Sequence, residues 1–318
     1  LLQAIKIKIK IKGLTMAFTG ASNINTGSQT GANLQVEMEL GILSAFERAN
    51  KFMPLIWRQT LVNSPAGRFV VEGKEDTIDT NLATYARGTQ IDVTGGTQDE
   101  IIITSDRPTY VARRLDKFEQ KTASYDVLAM YRGQMGKKLA SSIDRKILSA
   151  IELSSLSTGL VSNGDGSVVV NTTIASALTP ELKGDAICEA IYASIATLKS
   201  KDVDDEIYIA MSPVNYGYIV QSKKAVDVQY SGDNGSFAAR TVKQVAGATI
   251  IETNNMPATA NLQALAFTKE AAGMVEVWDI TVDTDTEGDF LNATRITASY
   301  ANGIAPVRPA CAVSIKSA

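Results

Sequence analysis

Three stretches of this 318-residue chain have the residue types from which a chemical site could be built. Asp283, Asp285 and Glu287 stand at the first, third and fifth places of DTDTEGD, with Gly288 sixth, as in a calcium loop. The twelfth place holds Thr294, where such a loop needs a bidentate glutamate, so the stretch reads as an acidic turn between strands. Asn163-Gly164-Asp165-Gly166-Ser167 has glycines that suit a phosphate cradle. Neither a P-loop nor a strand–G-x-G-x-x-G–helix unit surrounds them, and a tight turn explains them. Glu72 and Glu75 are candidate acids or bases, but a solvated strand end explains both. The chain has no histidine, which removes the commonest general base and metal ligand. Serine–histidine and cysteine–histidine catalysis and histidine-ligated zinc are thereby excluded. No catalytic, cofactor or metal residue is assigned.

Composition points away from several other classes. The chain is 45% apolar and 20% charged with a mean hydropathy of zero, as in a globular protein large enough for two domains. A net charge of −3 argues against electrostatic wrapping of DNA as the main task. Cys188 and Cys311 are far apart among alanines and isoleucines, and read as buried free thiols in a reducing compartment. No run of 18 apolar residues is long enough to span a membrane.

The element that organises the rest is Thr122 to Ser154. Leu128, Tyr131, Met135, Leu139, Ile143, Ile147 and Ile151 recur at helical spacing over roughly 45 Å. Thr122 and Ser124 are expected N-caps, with Asp126 in the first turn. Lys137, Lys138, Arg145 and Lys146 load the second half with cations, as the helix dipole prefers. Upstream, Ile5 to Lys12 alternates isoleucine and lysine. It reads either as a basic arm or as an A/T-rich leader before a natural start at Met16. Without that leader, four lysines go and the charge falls from −3 to −7. Ala17 to Asn33 is small and polar, an arm that needs a partner to order it. Val36 to Asn50 reads as a short helix with Val36, Leu40, Leu43 and Phe46 on one face.

Leu55 to Leu61 reads as a strand, and Arg68 to Glu72 and Glu100 to Thr104 as two more. The 27 residues between the latter pair, Gly73 to Asp99, suggest the tip of a long projecting hairpin. Arg107 to Phe118 alternates and leads into the long helix. Beyond it, Glu181 to Ser200 reads as a helix with Ile187, Ile191, Ile195 and Leu198 inward. Glu206 to Met211 reads as a strand, and Pro213 opens a helix. Tyr230 to Phe237 reads as an exposed loop. Ala248 to Glu252, Ala264 to Phe267 and Met274 to Val282 read as strands of an α/β unit. Ile296 to Tyr300 and Cys311 to Ile315 close the chain, with Gly303 and two prolines between them.

Ala264 to Ile315 resembles the C-terminal part of major capsid proteins of T-seven-like short-tailed (podovirus) phages. The family's "alaf" strand matches Ala264 to Phe267, and its "a-x-g-x-v" strand matches Ala271 to Val275. The "y-x-x-g" turn matches Tyr300 to Gly303, and the "R-P-E-A" step matches Arg308 to Ala310 without its glutamate. The middle also fits, with RFVVEG, EIIIT and the long helix in that order, as does the polar start from Met16 to Gly31. The resemblance runs from Met16 to the end.

It implies an α+β protein of the Hong Kong ninety-seven capsid fold. Beyond residues 1–15, the N-terminal arm would be 16–36 and the projecting E-loop 67–106, with Lys74, Asp79, Tyr85 and Arg87 reaching a neighbouring subunit. The peripheral domain would be 37–66, 107–159 with the spine helix, and 284–318. The axial domain would be 160–283, with Tyr230, Asp233, Asn234 and Phe237 on its axial loop. Gly133 and Gly136 would form a hinge, since such spines bend before shell expansion and each glycine weakens a helix by roughly 1 kcal/mol; the alternative is that the pair lets a neighbouring strand or arm pack closely. The implied function is a non-enzymatic shell protein of an icosahedral phage head enclosing double-stranded DNA. Implied partners are other copies in hexamers and pentamers, a scaffolding protein, a portal protein and non-specifically held DNA. A decoration protein is left open. No cofactor and no membrane are implied. The location would be the virion, and the host cytoplasm during assembly. Covalent crosslinks through Lys74 are not expected. Two other readings stand beside this one: a nanocompartment shell of the same fold, and a soluble α/β enzyme with a carboxylate site.

Overall fold

The computed structural model describes residues 40–46, 49–61, 66–72, 87, 98–105, 107–116, 118, 122, 127–156, 169–172, 179–201, 203, 205–222, 235–236, 241–242, 244–287 and 293–317. Its axis is the spine helix Val127–Leu156. Met135, Leu139, Ile143, Ile147 and Ile151 are buried, as their spacing predicts. Ala140, Leu148 and Ala150 are buried too, so two sheets close over the helix rather than one. Thr122 is not its N-cap. It lies in a helical turn, and its hydroxyl donates to the Phe118 carbonyl at 2.7 Å. Ser124 and Asp126 lie outside the described residues.

The first sheet takes β1 (Trp57–Thr60), β12 (Ala272–Glu287), β13 (Ala293–Pro306) and β4 (Thr109–Leu115), in that order. β1 runs parallel to β12, and the other pairs are antiparallel. Met274, Val282, Ile296, Ala298 and Tyr300 point into the core beside the spine. The second sheet has the order β5 (Val169–Thr172), β14 (Ala312–Ser317), β11 (Leu262–Phe267), β6 (Tyr208–Met211), β10 (Ala248–Glu252), β9 (Gln244–Val245). Its central strands β14, β11 and β6 are buried on both faces. Leu265, Phe267 and Ala210 face the spine core. Ala264, Ala266, Ile209, Met211, Val313 and Ile315 face a second core under the helices Pro180–Lys199 and Pro213–Gln221. Ile187, Ile191, Ile195 and Leu198 all point into that second core.

The chain crosses between the sheets at two short 3-10 turns, Lys269–Ala271 and Pro309–Cys311. The Thr268 amide donates to the Cys311 carbonyl at 3.1 Å, and the Val307 amide donates to the Ala271 carbonyl at 3.2 Å. Arg308 pairs with Glu270 at 3.0 Å, so a carboxylate from the other turn meets the arginine of the step that lacks the family's glutamate. The boundary expected at 283/284 falls inside β12, and Ala312–Ser317 joins the second sheet rather than the first. Residues 40–46 are helical, but their buried face is Ile42 and Phe46, while Leu40 is exposed.

DTDTEGD is not a turn through Glu287. Asp283, Asp285 and Glu287 alternate along β12, and arginines meet two of them: Arg295 lies 3.3 Å from Asp285 and 3.0 Å from Glu287. Arg114 lies 2.6 Å from Glu287. No cluster of three or more His, Cys, Asp or Glu side chains is placed to hold a metal among the described residues. None of the described helices is long and apolar enough to cross a membrane. Cys188 and Cys311 are buried thiols outside any disulfide, and burial pushes the Cys311 thiol up from its ordinary value.

Candidate assembly surfaces

The first surface begins where β2 (Ala66–Glu72) and β3 (Gln98–Thr104) pair antiparallel, with Ala66 opposite Thr104 and Glu72 opposite Gln98. This two-stranded ribbon forms no ladder with either main sheet. It is gripped at its root. Ile103 packs into a small separate core with Val275 and Val307, walled by Trp57, Leu61, Ile101 and Ala305. A Cβ at Gly67 would lie 2.5 Å from Val275 Cγ2, and one at Gly303 would lie 2.1 Å from the Thr104 carbonyl oxygen. Val275 and Gly303 are opposite each other on β12 and β13. Two glycines thus let the ribbon's strands lie directly on the sheet. Gly303 was expected between strands. It instead sits inside the continuous strand β13, because a close backbone approach needs a residue without a side chain there. On the opposite face of β3 from Ile103, Ile102 is 56% exposed, an apolar side chain left open among the described residues.

Of the four expected E-loop contacts, Arg87 is an exposed turn residue, while Lys74, Asp79 and Tyr85 lie outside the described residues, as does Glu75. Glu72 ends β2. Of the expected axial loop, Tyr230, Asp233, Asn234 and Phe237 lie outside them too, as do Asn163 to Ser167. Between them, Gly235–Ser236 pairs antiparallel with Thr241–Val242. The Val242 amide donates to the Tyr216 hydroxyl at 2.9 Å, which ties that ribbon to the helix Pro213–Gln221.

The spine glycines differ from each other. A Cβ at Gly133 would have nothing within 4 Å. One at Gly136 would lie 2.6 Å from the Ile42 carbonyl oxygen and 2.7 Å from Ala45 Cβ. Gly136 lets the helical segment 40–46 lie against the spine, and Gly133 has no such packing role. Gly133→Ala should therefore raise unfolding stability by about 1 kcal/mol through helix propensity, whereas Gly136→Ala should lower it by about 1–3 kcal/mol through overpacking. Denaturant unfolding of the two single variants separates them. Equal shifts of one sign would contradict this division of roles.

Sequence reasoning missed Asp144, which sits on the spine and is 1% exposed. It accepts from the Phe52 amide at 3.3 Å and more weakly from the Lys51 amide at 3.5 Å. Asn255 also hydrogen-bonds to it, and Ser141 Oγ donates to Asn255 Oδ1 at 2.6 Å. Lys51 Nζ donates to the Glu252 carbonyl at 2.8 Å. The spine is thereby tied to the turn before β1 and to the segment after β10. Burial pushes the Asp144 carboxyl up to about 6, against the opposing pull of the two amides, Asn255 and the Lys51 charge. The sequence signal was an aspartate in the apolar sector of an amphipathic helix.

Residues 116–266 match the family described as Gp10A-like: Major capsid protein. No curated protein matches the chain. Among solved structures, the capsid of the cyanophage P-SCSP1u superposes with a TM-score of 0.71 at 21% identity, over 85% of this chain and 88% of that one. The mature capsid of bacteriophage PhiM1 gives 0.68 at 19%, over 84% and 87%. A virus-like particle from Pyrococcus furiosus gives 0.55 at 15%, over 88% and 98%. The chain thus carries a major capsid protein signature over residues 116–266 and has the Hong Kong ninety-seven fold of phage capsid proteins over most of its length.

Proposed function

We propose that copies of this chain assemble as hexamers and pentamers of an icosahedral head that encloses double-stranded DNA, in a short-tailed phage of the T-seven-like group. The observation that carries this reading is the ribbon Ala66–Glu72 with Gln98–Thr104. It is anchored by glycines at one end and carries exposed Ile102 on its outer face. A projecting ribbon with open edges and an uncovered apolar side chain is poorly placed in a monomer and well placed against a second chain. In this reading, residues 67–106 reach one neighbour, through Lys74, Asp79, Tyr85 and Arg87. The loop with Tyr230, Asp233, Asn234 and Phe237 lines the capsomer axis, and the arm 16–36 reaches another subunit. Gly133 supplies flexibility to the spine, while Gly136 acts by packing. The chain has no catalytic role. A separate scaffolding protein sets the shell's size, a portal occupies one vertex, and assembly takes place in the host cytoplasm.

Co-expression with and without the scaffolding protein tests this. Uniform shells should form only with scaffold. After boiling, a denaturing gel should show monomer alone, because no crosslink through Lys74 is expected. Uniform shells from this chain alone would remove the scaffold from the account, and a ladder of covalent oligomers would contradict the absence of crosslinks. Particles holding a cargo peptide and no DNA would favour a nanocompartment instead.

A further inference from the structure

The cations on the spine call for an explanation that the helix dipole does not supply. That effect fades within the last turn, and Arg145 lies 11 residues before the end at Leu156. The last turn itself contains no basic residue. Lys137, Lys138 and Arg145 are exposed, whereas the two acids on this helix, Asp144 and Glu152, are buried. The exposed side of the spine therefore carries only positive charge, in a chain whose net charge is −3.

Elsewhere the pattern is the reverse. Arg114 and Arg295 share Glu287, Arg308 holds Glu270, and Arg58 faces Glu276 at 3.9 Å. Lys138 and Arg145 form no ion pair or hydrogen bond among the described residues. They are seven residues apart on one helical stripe, about 10 Å along the axis. Lys138 also lines a groove of about 460 Å³ between the spine and β4, the edge strand of its sheet, with Arg113, Gln134, Tyr131, Tyr110 and Met135. Arg113 lies over the Tyr131 ring at 6.0 Å, and Tyr110 is 69% exposed. Cations interleaved with tyrosines, and no acid between them, complement a phosphodiester backbone.

We infer that the exposed stripe of the spine helix, centred on Lys138 and Arg145 and continued by Arg113, is the surface through which this shell protein contacts the phosphate backbone of duplex DNA. The inference rests on the shell reading and names the face that meets the contents. The contact is independent of sequence, because it is made to phosphates, which carry no base information. With two or three cations per subunit it is weak for one copy and is multiplied over a shell, so it holds the duplex without trapping it.

The full-length chain and its assembled particles would be titrated with a fluorescent 20-base-pair duplex of mixed sequence across a range of salt concentrations. Lys138→Gln with Arg145→Gln should weaken binding and flatten the log–log salt slope by about 1.8, from two counterions at about 0.9 each. Lys199→Gln, at the end of another helix, should change neither. Both substitutions are on exposed side chains, and sedimentation of the same samples reports shell formation separately. Equal affinity and slope in the double variant would overturn the assignment, as would no duplex binding by the wild type at low salt. A double variant that loses poly-glutamate binding but keeps the duplex would overturn it in favour of an acidic protein partner. Wild-type protein that forms no particles would count against the shell reading itself, whatever the duplex result.

Discussion

Gly303→Ala should destabilise the protein by about 3 kcal/mol, near the upper end of overpacking costs, and should prevent shell formation. The added Cβ would meet the Thr104 carbonyl oxygen at 2.1 Å and Thr104 C at 2.9 Å. Those are backbone atoms of β3, so no rotamer change relieves the clash. Either β3 lifts from the sheet or β13 bends, and both open the small core of Ile103, Val275 and Val307. Lifting the root also re-aims the ribbon that reaches the neighbour, so assembly should fail even where the monomer still folds. Gly217→Ala is the control. It lies inside the helix Pro213–Gln221 with nothing within 4 Å of an added Cβ, and should be neutral or slightly stabilising. Thermal unfolding and particle yield of both variants provide the check. An unchanged melting temperature with normal particles for Gly303→Ala would show that the ribbon's root is not held as described.

The second large effect is a pH dependence from Asp144. Its carboxyl titrates near 6 in the folded chain and near 3.8 when exposed, so the folded state holds the proton more tightly between those values. Stability therefore falls as pH rises through that window and levels off above about 6. The shift corresponds to about 3 kcal/mol. Other carboxylates titrate in the same range, so the informative quantity is the difference between wild type and Asp144→Asn. Wild type should lose about 2 kcal/mol relative to the variant between pH 4 and pH 7, measured by denaturant unfolding of the unassembled chain. Parallel stability curves would contradict the raised value. The buried carboxylate fastens the Lys51–Phe52 turn to the spine, a job that an apolar residue cannot do.

Local periodicity made much of this fold legible. Met135 to Ile151 and Ile187 to Leu198 are one-face patterns that tertiary packing had no reason to override. The C-terminal motif order supplied the fold, which composition and spacing alone would not have done. What sequence could not show was pairing across long separations. β12 was expected to stop at Val282 because Asp283, Asp285 and Glu287 look like a turn. Glu287 is met by Arg114, 173 residues away in the chain, and by Arg295 across the β12–β13 ladder, which also meets Asp285. Gly303 looked like a break for the same reason, since its partner Thr104 is about 200 residues away. The Val169–Thr172 strand was missed because four residues carry too little pattern, and only β14 beside it makes it a strand. The glycine pair looked like one feature in sequence and is two in space, because only Gly136 lies under the segment 40–46. Asp144 stood out only as an acid in the apolar sector of the helix, and nothing in that pattern says which turn lies across from it.

The reading of this chain as a shell subunit is tested most directly by the size and architecture of what it forms. Protein co-produced with its scaffold would be sedimented and then imaged by electron cryo-microscopy. The expected result is closed particles built of many copies, in which residues 67–106 of one subunit lie across the next and the spine's Lys138–Arg145 stripe faces the interior. Protein that sediments only as a monomer or small oligomer, with no closed particle in the micrographs, would contradict it.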